Sequence, residues 1–196
     1  MVPHVLSKTR VNDLIDALGK VAGGLKAIVN LPKAERETMR RTLDETYRLV
    51  DTTLNMVIIR LGDILLQTAD EDFLREAVRL SNCGEWMQAE RDFRLCRSLR
   101  VALRETQTLV GKLTGAVSTK DWDALLLEMG SILATEGEVA EFISQQFQQH
   151  ASDALSASQD TKRTQSIRDS LAAFRAALLD ERHELIKQEL DLYAMV

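Results

Sequence analysis

A series of arginines near the middle of the chain is the polar feature that stands furthest above the background composition. Its members are Arg91, Arg94, Arg97, Arg100 and Arg104, and no acidic residue occurs from Phe93 to Arg104. On a helix Arg97, Arg100 and Arg104 share one sector, so several guanidinium forks can face one ligand. Together with Arg94 they are predicted to form a partner-binding strip, suited to a carboxylate-rich protein surface or a phosphate group. The alternative is structural, with these arginines paired to carboxylates of neighbouring helices or packed along the bundle.

Histidines are the next residues that could do chemistry, and the chain has three: His4, His150 and His183. A carboxylate-bridged di-metal bundle needs two Glu-x-x-His pairs, and here only Asp180-x-x-His183 comes near that pattern. One pair leaves a metal short of ligands, so we predict no metal site and interpret His183 as a surface histidine close to Asp180 and Glu184. Asp180 and His183 are the nearest approach to a pair of metal ligands. His150 is predicted near a helix end, where an imidazolium suits the helix dipole.

Catalytic patterns of other kinds are incomplete. Glu138-x-x-Glu141 and Glu181-x-x-Glu184 each place two carboxylates one helical turn apart, as magnesium-dependent helical nucleotide hydrolases do, but the further acidic groups of such sites are missing. The sequence also contains no glycine-rich phosphate loop, nucleophile elbow or metal-spaced cysteine pair. We therefore predict no catalytic residues and no cofactor, and we expect the protein not to be an enzyme.

Composition narrows the classes of partner. A net charge of −5 and 5% aromatic residues disfavour nucleic acid, which calls for a basic surplus or stacking side chains. No apolar run is long enough to cross a bilayer, and the first helix lacks the basic face of a membrane-surface helix. The two cysteines fit reduced thiols, so we expect a cytoplasmic protein. Among the 25 basic residues arginine outnumbers lysine, which favours a bacterial source.

Apolar residues recur at alternating steps of three and four, which is the spacing of a helix face. In the central stretch, from Pro32 to Gln67, they are Leu43, Tyr47, Val50, Leu54, Val57, Leu61 and Ile64. Ile58 and Leu65 widen this stripe, which predicts contact with more than one neighbouring helix. Because turn-forming residues are sparse, we predict an all-α fold, an elongated up-and-down antiparallel bundle of four to six helices forming a single domain over residues 1–196.

Local signals divide the chain into elements. A first helix is predicted from about Ser7 to Val29, with Gly19 and Gly23 allowing another backbone to approach closely. Thr68-Ala69-Asp70-Glu71 has the form of a capping box opening a short helix, and Ser81 to Gly84 is predicted to be a turn. The serine-rich residues 152–162 are predicted to form a mobile connection before a C-terminal helix.

Surplus apolar positions indicate the function that the sequence favours. They are Ile58, Leu65, Leu126, Leu133 and Leu179, more than one helix pair can cover. With catalytic groups missing, we predict a non-enzymatic protein–protein interaction bundle, adaptor or regulatory, that binds a protein partner or forms a coiled-coil homodimer. The alternative is a small-molecule or metal-binding bundle, a sensor or hydrolase, with a pocket between helices near Glu136 and Gly137 or near Asp180 and His183.

Overall fold

Helices account for nearly all of the chain that the computed structural model describes, which is residues 10–27, 33–82, 139, 141–157 and 160–193. The helices are α1 (Arg10–Ala27), α2 (Lys33–Leu65), α3 (Asp70–Val78), α4 (residues 141–156) and α5 (Thr161–Tyr193). No strand occurs within these described ranges. The all-α prediction is therefore confirmed for this part of the chain.

The longest two helices, α2 and α5, form the central pair. Each has 33 residues, which corresponds to a length of roughly 50 Å. Side-chain contacts along the pair join Arg168 to Gln67, Arg175 to Ile58, Arg182 to Asp51 and Tyr193 to Asp44. Residue numbers rise along α5 as they fall along α2, so the pair is antiparallel, as the sequence predicted for neighbouring helices.

The core follows the predicted stripe of α2. All seven of its apolar positions from Leu43 to Ile64 are buried, and Ile58 is buried beside them. Leu65 and Leu179 are partly buried and pack against the same core, whereas Leu126 and Leu133 lie outside the described residues. α2 contacts α1, α3 and α5, which confirms that its widened stripe serves more than one neighbour.

The predicted capping box before α3 is wrong. Ala69, not Thr68, occupies the N-cap position, and no side chain caps the helix. Arg168 of α5 holds this turn instead, because its Nη1 donates to the Gln67 carbonyl at 2.7 Å and its Nη2 donates to the Asp70 carboxylate at 3.2 Å. The same guanidinium lies 3.9 Å from the centroid of the Phe73 ring, so one side chain anchors α3 to α5.

Two connections differ from the predicted boundaries. The turn after α3 lies at residues 79–80, and helical residues resume at 81–82, inside the segment predicted as a turn. Residues 152–156 of the serine-rich segment belong to α4, and Asp160 caps α5 by accepting bonds from the backbone amides of Lys162 at 3.0 Å and Arg163 at 3.3 Å. The mobility of this connection stays a prediction.

Candidate functional site

The residues that the sequence singled out fall into two groups. The arginine strip, Glu136 and Gly137 lie outside the described residues, so their roles stay predictions. Asp180 and His183 are exposed on α5, and His183 is thus a surface histidine as predicted. Within the described ranges, no three His, Cys, Asp or Glu side chains come together in a group able to hold a metal ion.

The prediction for His150 is wrong. It lies inside α4, six residues before the end of that helix at residue 156, and is buried rather than placed at a helix end. Its ring centroid is 6.1 Å from that of Phe174. Burial lowers the pKa of the imidazole and outweighs the opposing effect of Asp153, so the neutral form is favoured.

Polar side chains occupy part of the buried seam between α2 and α5. The inward positions of α5 follow the same three-and-four spacing as those of α2: Ile167, Leu171, Phe174, Leu178, Glu181, Leu185 and Gln188. The first four are apolar, but Glu181 and Gln188 take positions where the spacing calls for apolar residues. We call Tyr47, Glu181 and Gln188 the polar seam section.

Glu181 is the most unusual member of this section. Its side chain is only 6% exposed, and its Oε2 atom has no hydrogen-bond partner among the described residues. Leu178 and Leu185, one turn away on either side, are completely buried. Burial raises the pKa of the Glu181 carboxyl from 4.5 to about 7, and the nearby Asp180 carboxylate adds to the shift.

The arginine next to Glu181 does not neutralise it. Arg182 points toward α2, where its Nε donates to Oδ1 of Asp51 at 2.7 Å and its Nη2 to Oδ2 at 3.3 Å. This two-point bond occupies the flat guanidinium fork of Arg182 with the Asp51 carboxylate. Arg182 therefore does not compensate for the hydration that the Glu181 carboxyl loses on burial.

Tyr47 and Gln188 close the section where α1, α2 and α5 meet. The Tyr47 hydroxyl donates to Oε1 of Gln188 at 3.4 Å, a long bond. Gln188 also covers Gly19 of α1, since a Cβ added there would lie 2.9 Å from the same Oε1 atom. The close neighbour of Gly19 is thus the side chain of Gln188 and not the backbone of another helix, which we had predicted. A Cβ added at Gly23 would have nothing within 4 Å. Burial raises the pKa of Tyr47, so its hydroxyl stays neutral.

Charged residues and Tyr193 form contacts between α5 and α2 at the outer edge of the polar seam section. The Tyr193 hydroxyl donates to Asp44 and accepts a bond from Nη2 of Arg48 at 3.1 Å. Arg48 also approaches Glu189, with its Nε 3.9 Å from a carboxylate oxygen. These contacts join the last turn of α5 to α2 and are largely exposed, so each stabilises the bundle only weakly.

A second feature lies on the outward side of α2. Ile59 of α2 is 53% exposed, and Leu66, the first residue after α2, is 76% exposed. They are seven residues apart, and the Leu66 amide donates to the Gly62 carbonyl at 3.0 Å, so Leu66 continues the stripe of Ile59 past the end of the helix. Asp63 lies between them and Glu71 follows at the start of α3; both are exposed and form no ion pair with any described residue. We call Ile59, Asp63, Leu66 and Glu71 the α2 outer patch.

Comparison of the chain with protein-family models, with curated proteins and with solved structures found no match in any of the three. Among the described helices, none has a stretch both long enough and apolar enough to cross a membrane. Function therefore has to be inferred from the contacts of the chain itself. The cytoplasmic location and the bacterial source stay predictions.

Sequence reasoning considered Glu181 only as a carboxylate paired with Glu184. The signal that identifies its position is the three-and-four spacing, which runs through Glu181 from Leu178 to Leu185. The sequence did not predict the α2 outer patch. Helical periodicity identifies the long apolar stripe that faces the core, and the single Ile59 on the opposite side of α2 is too little to show a periodic pattern.

Proposed function

We propose that this chain is a non-enzymatic interaction protein that binds a helix of another protein at the α2 outer patch. The observation that supports this proposal is the exposure of Ile59 and Leu66 at the C-terminal end of α2, a helix whose stripe from Leu43 to Ile64 is buried in the core. Exposed apolar side chains arranged in line gain stability when a partner removes them from water, at about 25 cal/mol per Å².

Charge selects the kind of partner. Asp63 and Glu71 leave their carboxylates without ion pairs in the described part of the chain, whereas Asp70 pairs with Arg168 and Asp72 with Arg75. An apolar line bordered by unpaired carboxylates complements a helix that carries apolar residues on one face and lysine or arginine beside them. An acidic helix or a nucleic acid would meet like charge here.

The test uses two synthetic peptides that share leucines at helical spacing and differ in their remaining residues, which are lysine and arginine in one and glutamate in the other. Fluorescence anisotropy of the labelled peptides, titrated with the full chain, should show binding of the basic peptide that weakens as salt is raised. The double variant Ile59→Ser, Leu66→Ser should weaken this binding by about tenfold or more, because it removes the apolar contact.

The matched control is Leu190→Ser, which removes an equally large side chain, 62% exposed, near the opposite end of the α2–α5 pair. It should leave peptide binding unchanged. Equal affinity for the acidic peptide, or full binding by the double variant, would contradict the proposal. Sedimentation equilibrium measures whether the chain self-associates. If the wild type is a dimer and the double variant is a monomer, the patch binds a second copy of this chain and the proposal of a basic helix is wrong.

A further inference from the structure

Burial of a carboxylate oxygen that accepts no hydrogen bond disfavours the charged form, and Oε2 of the buried Glu181 accepts none from the described residues. The contacts on either side of Glu181, Arg182 with Asp51 and Gln188 with Tyr47, set it level with residues 52 to 54 of α2, where Leu54 is buried. Apolar side chains thus flank the carboxyl along α5 and oppose it across the seam. An ionised carboxylate in these surroundings loses most of its hydration.

Charged groups on the packed elements do not offset this cost. On α5, Asp180 adds repulsion, Arg182 is bound to Asp51, Arg175 donates to the Ile58 carbonyl, and Lys187 pairs with Glu184 at 3.6 Å. On α2, the ionisable groups nearest in register are Arg48, which binds Tyr193, and Asp51.

The described charged groups of α1, α3 and α4 likewise do not offset the cost of charging Glu181. The described ionisable residues Asp13, Asp16 and Lys20 of α1 are all exposed, as is Glu141 of α4. The buried His150 of α4 lies beside Phe174, two turns along α5 from Glu181, and α3 contacts α5 near Arg168, more than three turns away. Protonation is therefore the available way, within the described residues, for Glu181 to shed its charge.

We propose that Glu181 is a proton-controlled switch for the docking of α5, which packs tightly against α1 and α2 when the carboxyl is protonated and loosens around residues 178–188 when its proton is released to water. A pKa of about 7 places this change near neutrality. Because the folded pKa lies above the ordinary 4.5, the stabilisation is fully present below pH 4.5 and is lost as pH rises through 7. This inference does not depend on the proposed partner.

The test measures hydrogen exchange by mass spectrometry on the full chain at pH 5.5, 7.0 and 8.5, with rates corrected for the intrinsic pH dependence of exchange. In the wild type, amides of residues 178–188 should lose about tenfold or more of their protection between the two extremes, while amides of 70–78 in α3 change less. Glu181→Gln, which has no ionisable proton, should abolish this difference.

Glu184→Gln is the matched control, because Glu184 is exposed one turn further along the same helix. It should keep the wild-type pH response. A ¹³C NMR titration of the Glu181 carboxyl in the wild-type protein provides a measurement that no variant's folding can obscure. An apparent pKa near 4.5, or an unchanged pH response in Glu181→Gln, would overturn the proposal; an apparent pKa near 7 together with a flattened response would support it.

Discussion

The two halves of the α2–α5 pair are held together by different forces. In one half Val57, Leu61 and Ile64 of α2 pack in the same core as Leu171 and Phe174 of α5, and all are buried and apolar. The other half contains the polar seam section and a border of ion pairs. The difference teaches that one continuous helix pair can be held by apolar packing in one half and by polar contacts in the other. Buried apolar contacts are insensitive to pH, whereas a buried carboxyl changes its free energy with every protonation.

Polar residues in a seam also restrict register. Sliding α5 along α2 by one turn would separate Arg182 from Asp51 and Gln188 from Tyr47, while an entirely apolar seam would tolerate the shift with smaller loss. The apolar half therefore supplies most of the attraction between the helices, and the polar half favours one alignment over its neighbours.

The strongest test of this comparison is a substitution that removes packing from the apolar half. Phe174 is buried, and its ring lies 6.2 Å from Phe142 and 6.1 Å from His150 between centroids. Phe174→Ala should lower the free energy of unfolding by about 3–5 kcal/mol, because it removes a large side chain and leaves a cavity. Urea denaturation followed by circular dichroism measures this, and a loss below about 1 kcal/mol would mean that the apolar half is not the main source of stability.

Acid should weaken the apolar half through His150, which is buried beside Phe174. Because the folded pKa of this histidine lies below its ordinary 6.5, its neutral form stabilises the bundle above pH 6.5, and that contribution is lost as pH falls below it. His150 should thus lower the free energy of unfolding between pH 7 and pH 5, by less than the Phe174→Ala loss. Glu181 acts in the opposite direction over this range, so the His150 contribution is measured as the difference between the wild type and a variant without the imidazole.

His150→Gln should remove this acid dependence, while His183→Gln, at an exposed position, should keep it. Urea denaturation series at the two pH values compare the three proteins. An identical pH dependence in the wild type and in His150→Gln would contradict the prediction and assign the acid sensitivity to other groups.

The smallest expected effect lies in the polar half. Tyr47→Phe removes a hydroxyl whose bond to Gln188 is long, at 3.4 Å, and keeps the buried ring. The free energy of unfolding should change by less than about 1 kcal/mol. A loss of several kcal/mol in urea denaturation would show that the polar half contributes to stability as strongly as the apolar half, and the contrast between the two would disappear.

Helix positions and their inward faces followed from the sequence because the spacing that encodes them is local. The stripe from Leu43 to Ile64 predicted both the length of α2 and its buried side chains, since one apolar residue every three or four positions can face a core only on a helix. The boundary of α3 was harder, because Arg168, distant in sequence, decides how the turn at Thr68 is held.

The sequence by itself determined that the chain folds as a bundle of helices, but it singled out Glu181 only as a carboxylate one turn from Glu184. Only the tertiary structure decided that Glu181 is buried, with its Oε2 lacking a hydrogen-bond partner among the described residues, and that His150 is buried instead of lying at a helix end. The physical reason is that a charged residue's state depends on what surrounds it. Whether Arg182 turns toward Glu181 or toward Asp51 is settled by which helix lies alongside α5 and in what register, and no spacing within α5 contains that information.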